Sequence, residues 1–258
     1  MQKEDSNQVL EKLRLLVYLS QSENKENVLL IGFPSNGLIG TFAISYLVYH
    51  LKMKQIGEME HPGILPTLFI ENGEIFGPIR VYNKDNLYVI MSDLPFDPEL
   101  AYDFSESVIE FAKKNNIGKT ILVSGLESPN ADPHAPKAYG LVTHKNLEKL
   151  LYDNDIPKFI SGTIFGTDAV VISAFRASDI PALVLYCECH PFFPDPEASV
   201  HAITVLSKIL KVEIDTTEIK QKLEHLRIQH RNLMQETISA LQQQAGKQPG
   251  SMMPRIYG

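Results

Sequence analysis

Cysteine is scarce in this sequence, which has two in 258 residues, Cys187 and Cys189. Because the pair lies two positions apart on a predicted strand, the side chains project from one face about 6–7 Å apart, and a disulfide between them would be strained. A chain without a disulfide framework is typical of a reducing compartment, so we expect a cytoplasmic protein. A chain of this length buries enough apolar surface to fold without such cross-links.

Long apolar stretches and an excess of positive charge are also missing. No run of ~18 apolar residues occurs, so no transmembrane helix is predicted and no membrane partner is expected. Residues 1–5 lack the apolar core of a signal peptide, so we expect no secretion signal. The 24 Lys and Arg residues are outnumbered by 31 Asp and Glu, and the net charge of −7 argues against nucleic acid as the main partner.

The sequence lacks a complete phosphate-binding motif. A loop from Gly32 to Gly40 follows an apolar run at 28–31 and leads into an apolar helix predicted for 38–51. Glycines at such a position let the backbone approach an anion at a helix N-terminus. The loop does not match G-x-G-x-x-G, however, and it has no P-loop lysine. We favour a tight strand-to-helix turn in which Gly40 allows close packing of helix on sheet, with phosphate binding as the alternative.

No complete nucleophilic site is recognisable either. Ser35 and Ser124 are possible nucleophiles, but neither lies in G-x-S-x-G. In a chain with eight histidines and 31 acidic residues, a base and an orienting acid are always available by chance, so the pattern predicts no enzyme. The candidates for those two roles are His61, His134, His144, His190, His201, Asp132 and Asp168.

A short cluster, Cys187-Glu188-Cys189-His190, is the most metal-like part of the sequence. No second cysteine pair completes a structural zinc site. We therefore expect the two cysteines to be small buried side chains near the end of a strand, and we predict no metal and no cofactor.

Acidic loops follow two of the predicted strands. Glu127 and Asp132 lie in one loop, and Asp195 and Glu197 lie in the other. The carboxyl ends of strands are where open α/β sheets bind ligands. We favour turn formation and helix capping for these acids, with Asp195 as the cap and Pro196 at the first helical position.

Predicted strands and helices alternate up to about residue 215. Uninterrupted apolar runs at 28–31, 87–91 and 181–187 are typical of strands that are buried on both faces. Asn72 and Gly73 predict a hairpin turn between β-like stretches at 67–70 and 77–82. The pattern favours an α/β domain with a mostly parallel sheet that is covered on both faces.

The buried pattern stops at Asp215 and Thr216, and this change divides the chain. We predict an α/β domain over residues 1–215, a helix over 216–245 and a flexible tail over 246–258. The helix has one narrow apolar stripe with heptad-like 4, 3, 4, 3, 4 spacing, which predicts packing either against a second subunit or on its own domain. The stripe comprises Ile219, Leu223, Leu226, His230, Leu233 and Thr237, of which Ile219, Leu223, Leu226 and Leu233 are the candidate oligomerisation residues.

The tail has thirteen residues, no acid and several glycines and prolines, so it could extend about 40 Å. It ends in Ile256, Tyr257 and Gly258. Met252, Met253, Ile256 and Tyr257 are more apolar than a solubilising tail needs. We therefore expect an arm that places an apolar residue, a tyrosine and a carboxylate at a distance from the domain.

Several stretches, in this order, resemble the proteasome assembly chaperone 2 family in its archaeal branch. They are Gly32 to Gly40 with its apolar helix, Ser124-Gly125-Leu126-Glu127, Tyr139-Gly140 with Thr143, Gly162 to Thr167, and Ile180-Pro181-Ala182 through Pro194-Asp195-Pro196-Glu197-Ala198. The final Ile256, Tyr257 and Gly258 resemble the hydrophobic–tyrosine–any-residue terminus of proteasome activators. The resemblance implies a three-layer α/β/α domain similar to nucleoside phosphorylases, no known catalysis, self-assembly, and docking on the proteasome α-ring.

The resemblance and the residues together predict a non-enzymatic factor that binds 20S proteasome α subunits through Ile256, Tyr257 and Gly258. Such a factor is an assembly chaperone, an activator or both, and without a Walker motif any activation is independent of ATP. We expect a homo-oligomer, because several tails on one particle bind more tightly than one. The alternative is a phosphorylase-like hydrolase or nucleoside-processing enzyme that uses the sheet edge at Ser35 and Ser124.

Overall fold

A computed structural model describes most of the α/β domain. The described residues are 14–17, 27–71, 73–96, 98–128, 132, 135–190, 194–215 and 219. The strands within them are β1 (Arg14–Val17), β2 (Asn27–Gly32), β3 (Lys54–Glu60), β4 (Phe69–Glu71), β5 (Glu74–Phe76), β6 (Ile79–Lys84), β7 (Leu87–Ser92), β8 (Ile117–Glu127), β9 (Ala138–Val142) and β10 (Ala182–Cys189). The α-helices are α1 (Ile39–His50), α2 (Pro98–Lys114), α3 (Glu148–Tyr152), α4 (Gly166–Ala177) and α5 (Pro196–Leu210).

Eight strands form one sheet in the order β1-β3-β6-β7-β2-β8-β10-β9. The four strands β7, β2, β8 and β10 are parallel neighbours. Every other neighbouring pair in this sheet is antiparallel. Since β3 is antiparallel to β6, and β6 to β7, five of the eight strands run in one direction, which confirms the predicted mostly parallel sheet.

Helices cover both faces of the sheet and produce the predicted three layers. On one face α1 and α5 pack together over the sheet, and on the other α2 packs beside α4. Alternate residues of β2 serve the two layers, since Leu30 joins the α1/α5 core while Leu29 and Ile31 join the α2/α4 core. Each is fully buried, and burial of such a side chain contributes roughly 1.5–3 kcal/mol.

The predicted turn at residues 72–73 joins a hairpin that is separate from the main sheet. Strands β4 and β5 pair with each other, and Glu71 lies opposite Glu74 across a two-residue turn in which Gly73 has a φ of 83°. A positive φ of this kind is natural for glycine. The predicted partner stretch at 77–82 was wrong: β4 pairs with residues 74–76, and residues 79–84 belong to the main sheet as β6, because the chain turns again at 77–78.

Helix α5 begins with the predicted cap. A side-chain oxygen of Asp195, Oδ1, accepts a hydrogen bond from Ala198 N at 3.0 Å, and Pro196 occupies the first helical position. The cap satisfies an N–H group that has no partner within the helix. The acidic loop at 195–197 therefore has the structural role that the sequence favoured.

The outer edge of β9 is closed by a following segment of the chain. Gly140 N donates to Pro157 O at 2.8 Å, and Phe159 N donates to Gly140 O at 2.9 Å. This short segment runs parallel to β9 beside Lys158. Part of the outer-edge backbone hydrogen bonding of β9 is thus satisfied by residues 157–159.

The predicted helix over 216–245 and the tail over 246–258 lie almost entirely outside the described residues. Ile219 is the described residue in this stretch; it is helical and fully buried in the α1/α5 core. Just before it, Tyr46 Oη on α1 donates a 2.7 Å hydrogen bond to Asp215 O. The described start of this stretch is thus packed on the chain's own domain. Among the described residues, no helix is both long enough and apolar enough to cross a membrane.

Candidate functional site

The residues predicted to dock on a proteasome have no described geometry. Ile256, Tyr257 and Gly258 lie outside the described residues, and so do Leu223, Leu226 and Leu233 of the predicted oligomerisation stripe. The remaining candidate oligomerisation residue, Ile219, is buried within its own chain. The docking and oligomerisation assignments therefore stay predictions.

The glycine loop between β2 and α1 packs its backbone against the carboxyl ends of the central strands. A Cβ atom on Gly40 would lie 2.5 Å from Val123 O and 2.9 Å from Phe33 O, so only glycine fits there. A Cβ atom on Gly125 would collide with Asn36 O. The loop is held further by a 2.9 Å hydrogen bond from Asp195 N to the carbonyl oxygen of Gly37. This packing supports the structural interpretation of the loop over phosphate binding.

Ser35, one of the two candidate nucleophiles, belongs to this loop. Its Oγ accepts a 3.3 Å hydrogen bond from Gly125 N, which ties the loop to the end of β8. The hydroxyl is half-buried and serves the packing of loop on strand. Ser35 therefore acts as a structural acceptor in this arrangement.

Ser124, the other candidate, lies in a polar cluster at the ends of β8 and β10. Tyr186 is directly opposite Ser124 in the parallel pairing of these strands. Both side chains face Asp168, which lies in the first turn of α4, and both hydroxyls act on its carboxyl group. Ser124 and Tyr186 are buried, at 0% and 3% exposed. The structure therefore brings together two predicted site residues, Ser124 and Asp168, with a third that the sequence did not single out.

The hydrogen bonding of this cluster is incomplete. Neither Ser124 Oγ nor Tyr186 Oη completes a hydrogen bond of normal geometry to any described residue. Burial raises the pKa of Asp168 to about 6, while the two hydroxyls act in the opposite direction. Burial, and then the negative charge of Asp168, raise the pKa of the Tyr186 phenol. At neutral pH, then, the cluster holds a carboxylate and two neutral hydroxyls.

One apolar side chain contacts the cluster, and two exposed ones lie near its residues in the sequence. The Phe159 ring packs 5.7 Å from that of Tyr186, centroid to centroid. Ile160 is 83% exposed, and Phe165, which precedes the first residue of α4, is 69% exposed. Gly166 has a φ of 68° and open space at its Cβ position. Asp168, in the first turn of α4, is partly exposed as a whole residue.

The described histidines take part in other contacts, and none supplies a base to Ser124. His61 lies 3.2 Å from Asp103, and His144 Nδ1 lies 2.8 Å from Thr143 Oγ1. Burial, with a smaller effect from Lys208, lowers the pKa of His201 on α5. The backbone N of His190 donates to Asp195 at 3.2 Å. His134 lies outside the described residues, as does every other residue between Ser128 and Ala135 except Asp132.

The two cysteines of the Cys187–His190 cluster belong to the hydrophobic core. Cys187 and Cys189 are free thiols with 0% exposure, as the sequence predicted. Burial raises the pKa of the Cys189 thiol to about 12, and it raises that of Cys187 further. Thiols of this kind stay protonated, which suits neither metal ligation nor nucleophilic attack. Among the described residues no group of three or more His, Cys, Asp or Glu side chains could hold a metal.

The hairpin of β4 and β5 shows a feature that the sequence did not reveal. Its two faces differ, because the rings of Phe69 and Phe76 lie 5.8 Å and 5.9 Å from the Arg80 guanidinium carbon. Arg80 in turn pairs with the buried carboxylate of Asp93. Leu68, Ile70 and Ile75 alternate with the aromatic residues and are 68%, 76% and 64% exposed. We call these three side chains the aliphatic hairpin face.

Comparison with known proteins assigns the fold to a family. Residues 29–234 match the PAC2 family. The chain belongs to the PAC2 family. Protein MJ0106 of Methanocaldococcus jannaschii, for example, is 24% identical over 242 residues, which are 90% of this chain and 96% of that relative.

Solved structures of other proteins share the architecture. PbaA of Pyrococcus furiosus, an archaeal homologue of a proteasome-assembly chaperone, superposes with a TM-score of 0.79 at 25% identity, over 88% of this chain and 99% of PbaA. PbaB of the same organism, an archaeal proteasome activator, gives a TM-score of 0.71 over 87% of this chain and all of its own. At 19% identity the likeness to PbaB shows the fold alone.

Proposed function

We propose that this PAC2-family chain is a non-enzymatic factor that binds the 20S proteasome, as an assembly chaperone, an ATP-independent activator or both. The observation that carries the proposal is the family match over residues 29–234 in a chain whose sequence closes with Ile256, Tyr257 and Gly258. The structural likeness to PbaA, a homologue of a proteasome-assembly chaperone, supports it.

In the proposed contact, Ile256, Tyr257 and Gly258 insert into a pocket between neighbouring α subunits. The carboxylate of Gly258 would pair with a lysine there, a charge-assisted hydrogen bond worth roughly 1.5–3 kcal/mol. Tyr257 would contribute its ring and hydroxyl, and Ile256 would contribute apolar area. A single tail of three residues binds weakly. Several tails on one homo-oligomer would raise the overall affinity by roughly 10²–10⁴ where the geometry allows them to bind together.

Self-association is therefore part of the proposal. Two features support it: the apolar stripe at Ile219, Leu223, Leu226 and Leu233, and the exposed aliphatic hairpin face. Contiguous exposed apolar surface of this kind marks sites of protein association. The buried position of Ile219 favours the stripe packing partly on its own domain, so the hairpin becomes the better-placed candidate within the described residues.

The enzyme alternative has weaker support. Ser35 is engaged by Gly125 N, and Ser124 Oγ makes no hydrogen bond of normal geometry with the Asp168 carboxyl or with any other described residue. A thermal-shift screen with nucleosides, phosphate and esters tests this alternative directly. A clear shift that disappears in Ser124→Ala would favour an enzyme over a binding factor.

The docking proposal is tested by measuring binding of the full chain to purified 20S particles. We expect binding to be lost when the last three residues are removed. We also expect it to be lost when residues are added after Gly258, because Gly258 then has no free carboxylate to place in the pocket. A matched control keeps the three residues but reverses their order. Unchanged binding of the truncated chain would overturn the proposal.

A further inference from the structure

The hairpin of β4 and β5 is a two-stranded sheet of its own, with three residues in each strand. A hairpin of two strands is marginally stable in water, and further strands or further packing are needed to hold it. One face of this hairpin packs on Arg80 through Phe69 and Phe76, whereas the other is the exposed aliphatic hairpin face. The edges of the two strands decide what else the hairpin can bind.

The turn of the hairpin determines which backbone groups point outward. With a two-residue loop and a φ of 83° at Gly73, Glu71 and Glu74 are the hydrogen-bonded pair that closes the turn. Because hydrogen-bonded and non-hydrogen-bonded pairs alternate along an antiparallel ladder, Ile70 and Ile75 form a non-hydrogen-bonded pair. The N–H and C=O groups of these two isoleucines therefore point away from the hairpin, and no hydrogen bond from another described element reaches them.

The two edges of the hairpin differ in charge. The β5 edge has an acid at each end, because Glu74 lies at the tip and a Cβ atom on Gly77 would be only 2.8 Å from Glu58 Oε2. The β4 edge has an acid only at its tip, and the exposed aliphatic side chains of Leu68 and Ile70 precede it. Charged groups on an edge strand oppose pairing with another strand. The β4 edge is therefore the one that suits an incoming strand.

The β4 edge is complementary to the same edge of a second copy in the antiparallel direction. With Phe69 opposite Phe69 of the second copy, Leu68 of each copy lies opposite Ile70 of the other, and these residues form hydrogen-bonded pairs. The aliphatic side chains then share one face, and Glu71 lies opposite the neutral Thr67 of the second copy. A parallel arrangement in register would place the two Glu71 side chains next to each other, which is unfavourable.

We propose that two copies of this chain associate by antiparallel pairing of their β4 strands, which joins the two hairpins into one four-stranded sheet. The copies are related by a two-fold axis, so the contact uses the same edge of each copy and closes after two copies. The inference rests on the self-association that the proposed function requires, and it names the strand edge that provides it. Residues 256–258 take no part in it.

Cysteine crosslinking of the full chain tests which strands meet. Residues that form a hydrogen-bonded antiparallel pair have Cα atoms about 5.5 Å apart, within reach of a disulfide. On mild oxidation, Leu68→Cys chains mixed with Ile70→Cys chains should form the mixed disulfide. Leu68→Cys mixed with Ile75→Cys is the control, and it should react at least about tenfold more slowly because these positions would be two strands apart. The native cysteines are fully buried. Equal rates in the two mixtures would overturn the proposal.

A backbone variant separates strand pairing from side-chain contact alone. Ile70→Pro removes an outward N–H group that has no part in the hairpin's own ladder, a position at which edge strands tolerate proline. Sedimentation should show a dissociation constant at least about tenfold higher, because the two-fold axis doubles the loss of one hydrogen bond. Ile75→Pro makes the same change on β5 and should have a smaller effect. An unchanged dissociation constant in folded Ile70→Pro overturns the proposal; should that variant fail to fold, the crosslinking rates decide.

A chain without residues 256–258 separates this inference from proteasome docking. The mixed disulfide should form in it at the same rate, whether or not the chain still binds 20S particles, so failure of docking and failure of pairing are distinct results. Loss of the disulfide in this shortened chain would contradict the proposal. A chain that is monomeric at every concentration, and whose Leu68→Cys variant crosslinks only to an added 20S subunit, would overturn it in favour of the proteasome as the occupant of this edge.

Discussion

Tyr46 Oη donates a 2.7 Å hydrogen bond to the carbonyl oxygen of Asp215, 169 positions along the chain. The bond joins α1 to the segment through which the chain leaves the α/β domain. Four residues later Ile219 is buried in the α1/α5 core. Together these contacts hold the last described residues of the chain against α1.

Removing that hydroxyl should loosen the exit segment. We expect Tyr46→Phe to lower the free energy of unfolding by about 1 kcal/mol, because one partly buried hydrogen bond is lost. Hydrogen exchange at residues 212–215 should also become faster. Tyr102→Phe, which removes a hydroxyl from a ring that is 66% exposed, is the control and should change neither measurement. Equal effects of the two variants would contradict an anchoring role for Tyr46.

The Arg80–Asp93 pair should behave as a buried ion pair, since the side chains are 13% and 5% exposed. Arg80→Met is expected to lower the free energy of unfolding by about 3 kcal/mol, because Asp93 keeps a charge without its cation. The double variant Arg80→Met/Asp93→Asn should recover at least about 1 kcal/mol of this loss. Urea denaturation of the two variants makes the comparison. A double variant less stable than the single one would contradict this account.

Asp168 should give the chain an unusual pH dependence. Its pKa is raised to about 6 by burial, so the folded state holds the proton more tightly than the unfolded chain does. Its contribution to stability is therefore fully present below about pH 4 and declines as the pH rises to about 6, by at most about 3 kcal/mol. Asp168→Asn removes this decline. Relative to wild type, the variant should gain stability between pH 4 and pH 7, as measured by urea denaturation.

Asp179→Asn is the control for that titration, because Asp179 is exposed. Parallel stability curves for wild type and Asp168→Asn over pH 4 to 7 would contradict the raised pKa.

The aliphatic hairpin face should contribute to self-association and little to folding. Replacing Ile70 and Ile75 with Asn alters side chains that are 76% and 64% exposed, so the free energy of unfolding should change by less than about 0.5 kcal/mol per site. Sedimentation should show a smaller species, or a weaker dissociation constant, at the same concentration. Glu74→Gln, at the tip of the same hairpin, is the control. An unchanged oligomeric state in the Ile70/Ile75 variant would remove this face from the interface.

The core of the fold was predictable because its signals are local. The uninterrupted apolar run at 28–31 is typical of a strand buried on both faces, and β2 is buried along its whole length. Asp195 followed by Pro196 specified the start of α5, and Gly73 specified a turn that admits a positive φ. Each of these depends on a few adjacent residues, and tertiary contacts did not override them.

Other features depend on contacts between distant residues, and single positions carried no sign of them. Strand β3 is polar at alternate positions and half-exposed, so its sequence lacks the apolar run that marks the central strands. Tyr186 gave no functional signal, because its importance comes from its register opposite Ser124 and from Asp168 on α4. The exposure of Ile70 and Ile75 likewise follows from the packing of Phe69 and Phe76 on Arg80, which no spacing rule could have revealed.

The segment at 157–159 has a consequence for how copies of this chain can meet. By hydrogen-bonding Gly140 on both its N–H and its carbonyl, it takes two of the backbone groups that an incoming strand would use at the middle of β9. An open strand edge is a template for uncontrolled polymerisation, and covering it is how natural sheets avoid that outcome. At this end of the molecule, the covered middle of β9 disfavours the continuous pairing by which a sheet would grow from one copy into the next.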